Sequence, residues 1–297
     1  MSKVPTQGVA VVTGSGKWIG RAIATRFAKE GYCVVINDLT NEEDLKLVKD
    51  EICFLINDTE RISYVLGDVS DEDVSRTLMK HAIDKFGKID ILANNASIAK
   101  RAATKKANEI SKTAQHSYYE QVSPYFTVEE YEVSDASTRG TYLCIKEAVT
   151  QMSKPSPEGI ECQISSIINV SSPYESLSVP EAEAYTYSMS GVNPFTTSIA
   201  GIKSLTKTIA LQLAGMRIRV NAISPGLIAS DSLILKSTEK QAKIPFNRMR
   251  SPEEIAEIAL FLASEHATYI TGTVIYADGG LSLTTSNYYL ENKIEED

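Results

Sequence analysis

The sequence predicts an α/β protein: one domain over residues 1–297, built on a doubly wound parallel sheet of about seven strands with helices on both faces. Three observations predict it. Short β-rich apolar runs alternate with helix-length amphipathic stretches along nearly the whole chain. A glycine-rich turn stands where the first run meets the first helix, and an acid follows the second run. No linker composition, repeat or low-complexity segment interrupts the alternation.

The strand candidates are 9–12, 33–37, 63–66, 89–93, 167–170, 218–223 and 273–276. Between the first two, Ile19, Ile23 and Phe27 recur every fourth residue, which lays one helix face against the sheet. Before the last strand, Ser251-Pro-Glu-Glu254 reads as an N-cap, a proline at the first helical position and acids in the first turn. A further helix is expected over about 195–214, with Ile199, Ile202, Leu205 and Ile209 at helical spacing. Two segments break the rhythm. Residues 98–136 form a polar insertion with two basic pairs (Lys100-Arg101, Lys105-Lys106) and an aromatic cluster (Tyr118, Tyr119, Tyr125, Phe126, Tyr131). A connection that long inside a compact domain is functional or mobile, and it is expected to lie over the active site. The charged tail, 292–297, is expected to fray.

A chain of 297 residues with 43% hydrophobic content can bury a substantial core. The net charge of −8, with no basic stripe gathering the 30 Lys+Arg, excludes a nucleic-acid surface. No run approaches the ~20 apolar residues that span a bilayer, and no signal-peptide stretch opens the sequence, so no membrane association is expected. Cys33, Cys53, Cys144 and Cys162 stand apart, with no C-x-x-C and no nearby histidine. They read as free thiols in a reducing, cytoplasmic setting, with no metal site.

Val11-Val-Thr-Gly-Ser-Gly-Lys-Trp-Ile-Gly20 joins the first strand to the first helix. Glycines there let the backbone approach a pyrophosphate, which the amides and positive dipole end of the helix then hold. Asp38, directly after the second strand, places a carboxylate where it can accept hydrogen bonds from the adenosine ribose hydroxyls. Strand, turn, helix and acid thus stand in the order that a Rossmann-type dinucleotide site requires, and such a site is expected here.

From these residues onward the chain resembles the short-chain dehydrogenase/reductase family over nearly its whole length. Thr13, Gly14 and Gly20 match the turn Thr-Gly-x-x-x-Gly-x-Gly, with Trp18 in place of the middle glycine. Asp68-Val69 is similar to the pair that caps the adenine, and Asn94-Asn95-Ala96-Ser97 to Asn-Asn-Ala-Gly after the fourth strand. Arg219-Val-Asn-Ala-Ile-Ser-Pro-Gly226 resembles the segment under the nicotinamide, Ser230 stands where a hydroxyl holds the carboxamide, and Asp278-Gly-Gly280 matches the close of the last strand. The resemblance implies cofactor contacts at Gly14, Ser15, Lys17, Trp18, Ile19, Gly20, Asp38, Asp68, Val69, Asn95, Ala96, Pro225, Gly226, Ile228 and Ser230. Asp38 opposes a 2′-phosphate and favours NAD(H); Lys17, where NADP-preferring relatives place a basic residue, keeps NADP(H) possible. Trp18 either packs over the turn or the core, or lines the entrance beside the pyrophosphate. Pteridine reductases share a bulky residue there, the Asn-Asn-Ala-Ser form and the long segment after it. Family members commonly pair through the helix that carries the catalytic residues, which implies a homodimer or homotetramer.

The proton-transfer residues are another matter. Ser172, ending Ile167-Ile-Asn-Val-Ser-Ser172, matches the family's serine, but Ser137 occupies the place of its asparagine. The Tyr-x-x-x-Lys pair has two registers. Counted back from Leu205-Thr206 and Pro225-Gly226, it falls on Phe195 and Ile199; counted forward from Ser172, on Tyr185 and Met189. Neither holds the lysine. Tyr142…Lys146 and Tyr289…Lys293 read as coincidences, and Lys203 as a surface lysine one turn beyond Ile199. Ketone reduction needs a proton donor at the developing alkoxide, whereas an iminium is neutralised as hydride arrives. The expectation is an NAD(P)-dependent reductase acting on a C=N or similarly activated bond of a small pterin-like or alkaloid-like heterocycle. Ser172, Tyr185 and Glu175 are its candidate catalytic residues. The alternative is a non-redox protein of the same fold, a regulator, a scaffold or an enzyme that uses bound cofactor structurally.

Overall fold

The computed structural model describes residues 7–39, 41–96, 128–153, 165–173, 192–229 and 244–284, the side chains of 128–136 and 192–197 excepted. The elements run β1 (Val9–Val12), α1 (Trp18–Glu30), β2 (Cys33–Asp38), α2 (Glu42–Ile56), β3 (Ile62–Leu66), α3 (Glu72–Phe86), β4 (Ile91–Asn94), α4 (Val128–Met152), β5 (Ser165–Val170), α5 (Val192–Leu213), β6 (Ile218–Pro225), α6 (Pro252–Ala263) and β7 (Val274–Ala277). All seven expected strands form, with ends displaced by up to two residues. They pair in parallel as one sheet in the order β3-β2-β1-β4-β5-β6-β7.

Alternate side chains of the central strands feed two cores. Ala10, Val12, Val34 and Ile36 face α1, α2 and α6 around Ile23, Phe27, Leu45 and Ile255. Val11, Val35, Leu92, Ile167 and Val220 face α3, α4 and α5 around Leu78, Met79, Ile145 and Leu213. Strands covered on both sides need apolar residues at successive positions, which is why they read as unbroken runs. Burying a side chain such as Phe27, wholly inaccessible here, contributes about 1.5–3 kcal/mol.

Two expectations are refined. The α5 stripe faces the chain's own core: Ile199 and Ile202 are buried, and Leu205 and Ile209 pack on the second core. Helix α4 begins at Val128, inside the stretch expected as a polar insertion; Glu129 and Glu130 favour a helix start there through the macrodipole. Residues 98–127 and the tail at 292–297 lie outside the described residues. Cys33, Cys53 and Cys144 are buried and outside any disulfide, and burial pushes Cys144 up to about 12, so it stays protonated. Cys162 lies outside the described residues. Among the described residues no helix is long and apolar enough to cross a membrane, and no cluster of ligating side chains could hold a metal.

Two arginines anchor the two ends of α6. Arg219, buried on β6, donates to the carbonyl oxygens of Leu262 (2.6 Å), Ala263 and Ser264 (both 3.4 Å), capping the C-terminus of α6 with a cation. At the other end of α6, Arg248 donates to both Glu254 oxygens (2.8 and 2.7 Å), and the Ser251 amide donates to Glu254 as well (3.0 Å). The Arg248 hydrogen bonds, with the Ser251 amide, hold the Glu254 carboxyl at about 2. A depressed carboxylate stabilises the fold above its unfolded value of about 4.3 and loses that contribution as pH falls towards the folded one. Glu254→Gln should therefore be less stable than wild type near neutrality, with the gap narrowing as the pH drops through about 4. Urea midpoints against pH measure this; a gap independent of pH would contradict it.

Candidate functional site

The strand order reverses between β1 and β4, so their C-terminal ends open a crevice between connections that leave in opposite directions. The glycine turn after β1 forms one wall and the Asn94-Asn95-Ala96 end of β4 the other. They touch at backbone distance. Gly14 lies at φ +62°, where a β-carbon would be 2.7 Å from Ala96 Cα. A β-carbon on Gly20 would stand 2.2 Å from the Gly14 carbonyl oxygen and 2.5 Å from Asn95 Nδ2. Polar bonds lock the contact: Thr13 Oγ1 accepts from the amides of Asn95 (3.1 Å) and Ala96 (3.0 Å), and Asn95 Nδ2 donates to Gly14 O at 2.9 Å. Ser15 is buried, its hydroxyl donating to Val12 O at 3.0 Å and accepting from the Asn37 amide at 2.9 Å, which ties the turn to β2.

Asp38 ends β2 at the rim of this turn. Its Oδ2 accepts from the Gly16 amide at 2.8 Å, and a β-carbon on Gly16 would meet that oxygen at 2.7 Å. Asn37 Nδ2 bridges to the carbonyl oxygens of Val65 and Gly67, both at 3.0 Å, and so fixes the strand end that presents the acid. Lys17 and Trp18 complete the turn. Trp18 is held at φ +49°, a left-handed conformation costing roughly 1–2 kcal/mol for a residue with a β-carbon. Its ring is largely exposed, and the Lys17 ammonium lies 5.3 Å from the ring centroid. It does not pack into the core, whereas Ile19, next in the chain, packs against the first one.

The chemistry of the helix ends indicates what the crevice accepts. Asn41 caps α2, Asp71 caps α3, and acids fill the first turns of α2, α3 and α6. Helix α1 has no side-chain cap and no acid in its first turn. Its positive end is thus left for an exogenous anion, and a dinucleotide pyrophosphate fits the donors present. After β3, Asp68 Oδ1 accepts from the Ser70 amide (2.9 Å) and hydroxyl (2.8 Å), while Val69 is buried 3.0 Å from where a Gly140 β-carbon would stand.

The other half of the site is built on β5, β6 and α5. Asn94 Nδ2 donates to Asn169 Oδ1 (3.0 Å), and Asn169 Nδ2 donates to Thr206 Oγ1 (2.9 Å), a buried chain that links β4, β5 and α5. Ser171 and Ser172, both half-buried, follow β5, and the Ser171 hydroxyl reaches the Ile199 carbonyl oxygen at 3.5 Å. Phe195 and Ile199 both lie on α5, and Ile199 is buried. Pro225 closes β6 opposite Ala277, and Ile228 bridges to Arg250. Gly226 has a packing reason to lack a side chain, since its β-carbon would stand 2.7 Å from Asp278 Cα. Lys203 donates to the Tyr276 hydroxyl at 2.9 Å on β7, and Lys146 pairs with Glu72 at 2.9 Å, so both lysines have structural partners. Ser97, Glu175, Tyr185, Met189 and Ser230 lie outside the described residues.

Of the residues expected at the cofactor, Gly14, Gly20, Asn95 and Ala96 meet between β1 and β4, and Asp38 joins the same turn through the Gly16 amide. Thr13 and Gly16 belong with them, and sequence reasoning undervalued both. The signal for Thr13 was its hydroxyl beside a turn that must be held; for Gly16 it was a second glycine within reach of Asp38.

A family model described as enoyl-(acyl carrier protein) reductase matches residues 14–282. The chain is 34% identical over 296 residues to glucose 1-dehydrogenase 2 of Bacillus subtilis, covering 96% of this chain and 99% of that one. It is also 34% identical over 278 residues to the 3-oxoacyl-(acyl-carrier-protein) reductase FabG of Thermotoga maritima, covering 92% and 97%. The fold is similar to that of a short-chain type dehydrogenase/reductase from Mycobacterium marinum, at a TM-score of 0.74 and 26% identity over 94% and 96% of the two chains.

Thr13→Val keeps the shape of the side chain but leaves the amides of Asn95 and Ala96 without their acceptor. Stranding part-buried donors should destabilise the fold by about 1–3 kcal/mol. Equilibrium urea unfolding measures it, and an unchanged midpoint would mean that the Thr13 bonds do not hold the crevice.

Proposed function

The chain belongs to the short-chain dehydrogenase/reductase family of oxidoreductases, which use NAD or NADP, and from that premise we propose an NAD-preferring reductase of activated C=N bonds. Its substrate is a small cationic heterocycle of pterin-like or alkaloid-like character, and it works as a homodimer or homotetramer. The uncapped, acid-free start of α1 beside the Gly14–Gly20 closure is the observation that carries the cofactor half of the reading. The buried Ile199 on α5 supports the catalytic half.

The residues divide the work. The α1 amides hold the pyrophosphate, and Gly14 and Gly20 keep the backbone close enough for that contact. Asp38 accepts hydrogen bonds from the ribose diol and opposes a 2′-phosphate. Asp68, Val69, Asn95 and Ala96 line the adenosine side, with Pro225, Gly226, Ile228 and Ser230 on the nicotinamide side. When bound, the dinucleotide supplies the hydride. An iminium carbon receives it while the C=N π electrons move to nitrogen, so the cation becomes a neutral amine and no proton is needed. Glu175 and Tyr185 are assigned to orienting the cation, and Ser172 to a hydrogen bond at its edge. A ketone lacks this outlet: its alkoxide needs an acid, and neither Phe195 nor Ile199 can act as one.

Asp38→Asn should move the NADPH-to-NADH affinity ratio towards NADPH; an unchanged ratio means that Asp38 does not face the ribose. In a screen of ketones and cyclic iminium ions with both cofactors, iminium reduction should dominate. Glu175→Gln should then lower kcat/KM by about 2–4 kcal/mol in barrier terms, more than Ser172→Ala does. Fast ketone turnover by the wild-type chain would overturn the catalytic reading. Silence on both substrate classes with cofactor bound would favour a non-redox role.

A further inference from the structure

Lys17 and Trp18 are the two turn residues that the cradle itself does not use. The amide of Gly16 is bound to Asp38 Oδ2 at 2.8 Å, so the Lys17 side chain leaves the backbone one residue from the acid that reads the ribose. A 2′-phosphate brought beside Asp38 meets a carboxylate, and a cation arriving from this turn would offset that repulsion. Lys17 is the lysine of the turn, yet its ammonium stands 5.3 Å from the centroid of the Trp18 ring, within cation–π reach. Trp18 is itself unaccounted for by packing: it is 58% exposed and held at φ +49°, where a β-carbon is strained.

We propose that Trp18 is a specificity-determining residue whose indole holds Lys17 away from the 2′ position, leaving Asp38 to select NAD over NADP. The inference rests on the cofactor reading above and adds to it a named device that sets the preference. Trp18 acts through Lys17, so its effect lies in the ratio of the two cofactor affinities rather than in the affinity common to both.

The test is calorimetric titration of NADH and NADPH into the full chain, wild type against Trp18→Gly, Trp18→Leu, Lys17→Ala and the double variant Lys17→Ala/Trp18→Gly. Glycine at this φ is unstrained, and leucine removes the π face while keeping a side chain should glycine loosen the turn. Either Trp18 variant should raise the NADPH-to-NADH affinity ratio roughly two- to fivefold, the factor expected for losing an exposed cation–π contact. The double variant should fall back to the ratio of Lys17→Ala. An unchanged ratio in Trp18 variants that still bind NADH overturns the inference, and so does a rise that persists without Lys17. A wild-type chain that binds neither dinucleotide overturns the cofactor reading first, a result visible before any substitution is compared.

Discussion

At Gly20 a β-carbon would stand 2.2 Å from the carbonyl oxygen of Gly14, a separation that no side chain survives. That contact draws the start of α1 against the turn after β1, and Asn95 Nδ2 closes it from β4 by donating to the same carbonyl oxygen at 2.9 Å. The rest of the crevice follows. With α1 fixed there, the Gly16 amide just before it reaches Asp38 at the end of β2. A larger residue at Gly20 would have to separate α1 from β4, opening the crevice and turning the positive helix end away from it.

The two halves of the site differ in kind. On the β1–β2–β4 side, polar groups are committed to holding backbone, through Thr13, Ser15, Asn37 and Asn95, and the remaining donors suit an anion. On the β5–β6–α5 side, the polar groups form a buried structural chain from Asn94 through Asn169 to Thr206, and Ile199 is buried as well. Among the described residues of the second half, Ser171 and Ser172 stand half-buried at the end of β5.

Much of the fold was legible because buried parallel strands leave unbroken apolar runs and because Ser251-Pro-Glu-Glu254 announces a helix start. The closure between the glycine turn and β4 was legible for a similar reason: close backbone approach permits only glycine, so Gly14 and Gly20 mark themselves. What the sequence could not display was reciprocity. Thr13 looks like an ordinary strand-end residue until its hydroxyl is found accepting two amides from β4. Gly226 reads as a nicotinamide contact, yet its missing side chain is explained by Asp278 packing against it. The α5 stripe marks an apolar face without saying what covers it, because periodicity reports a face and not its partner; in the structure it packs on the chain's own core. Trp18 is the reverse case. A bulky residue in a glycine slot was visible from the start, but its left-handed backbone and the ammonium over its ring were not.

The central claim is that a nicotinamide dinucleotide lies across the β1–β4 crevice with its pyrophosphate on the start of α1. A crystal structure of the chain grown with NADH tests it most directly. The account predicts the pyrophosphate oxygens within hydrogen-bond distance of the first amides of α1 and the adenosine ribose diol on Asp38. A dinucleotide bound elsewhere, or one in the crevice with its ribose turned away from Asp38, would contradict it.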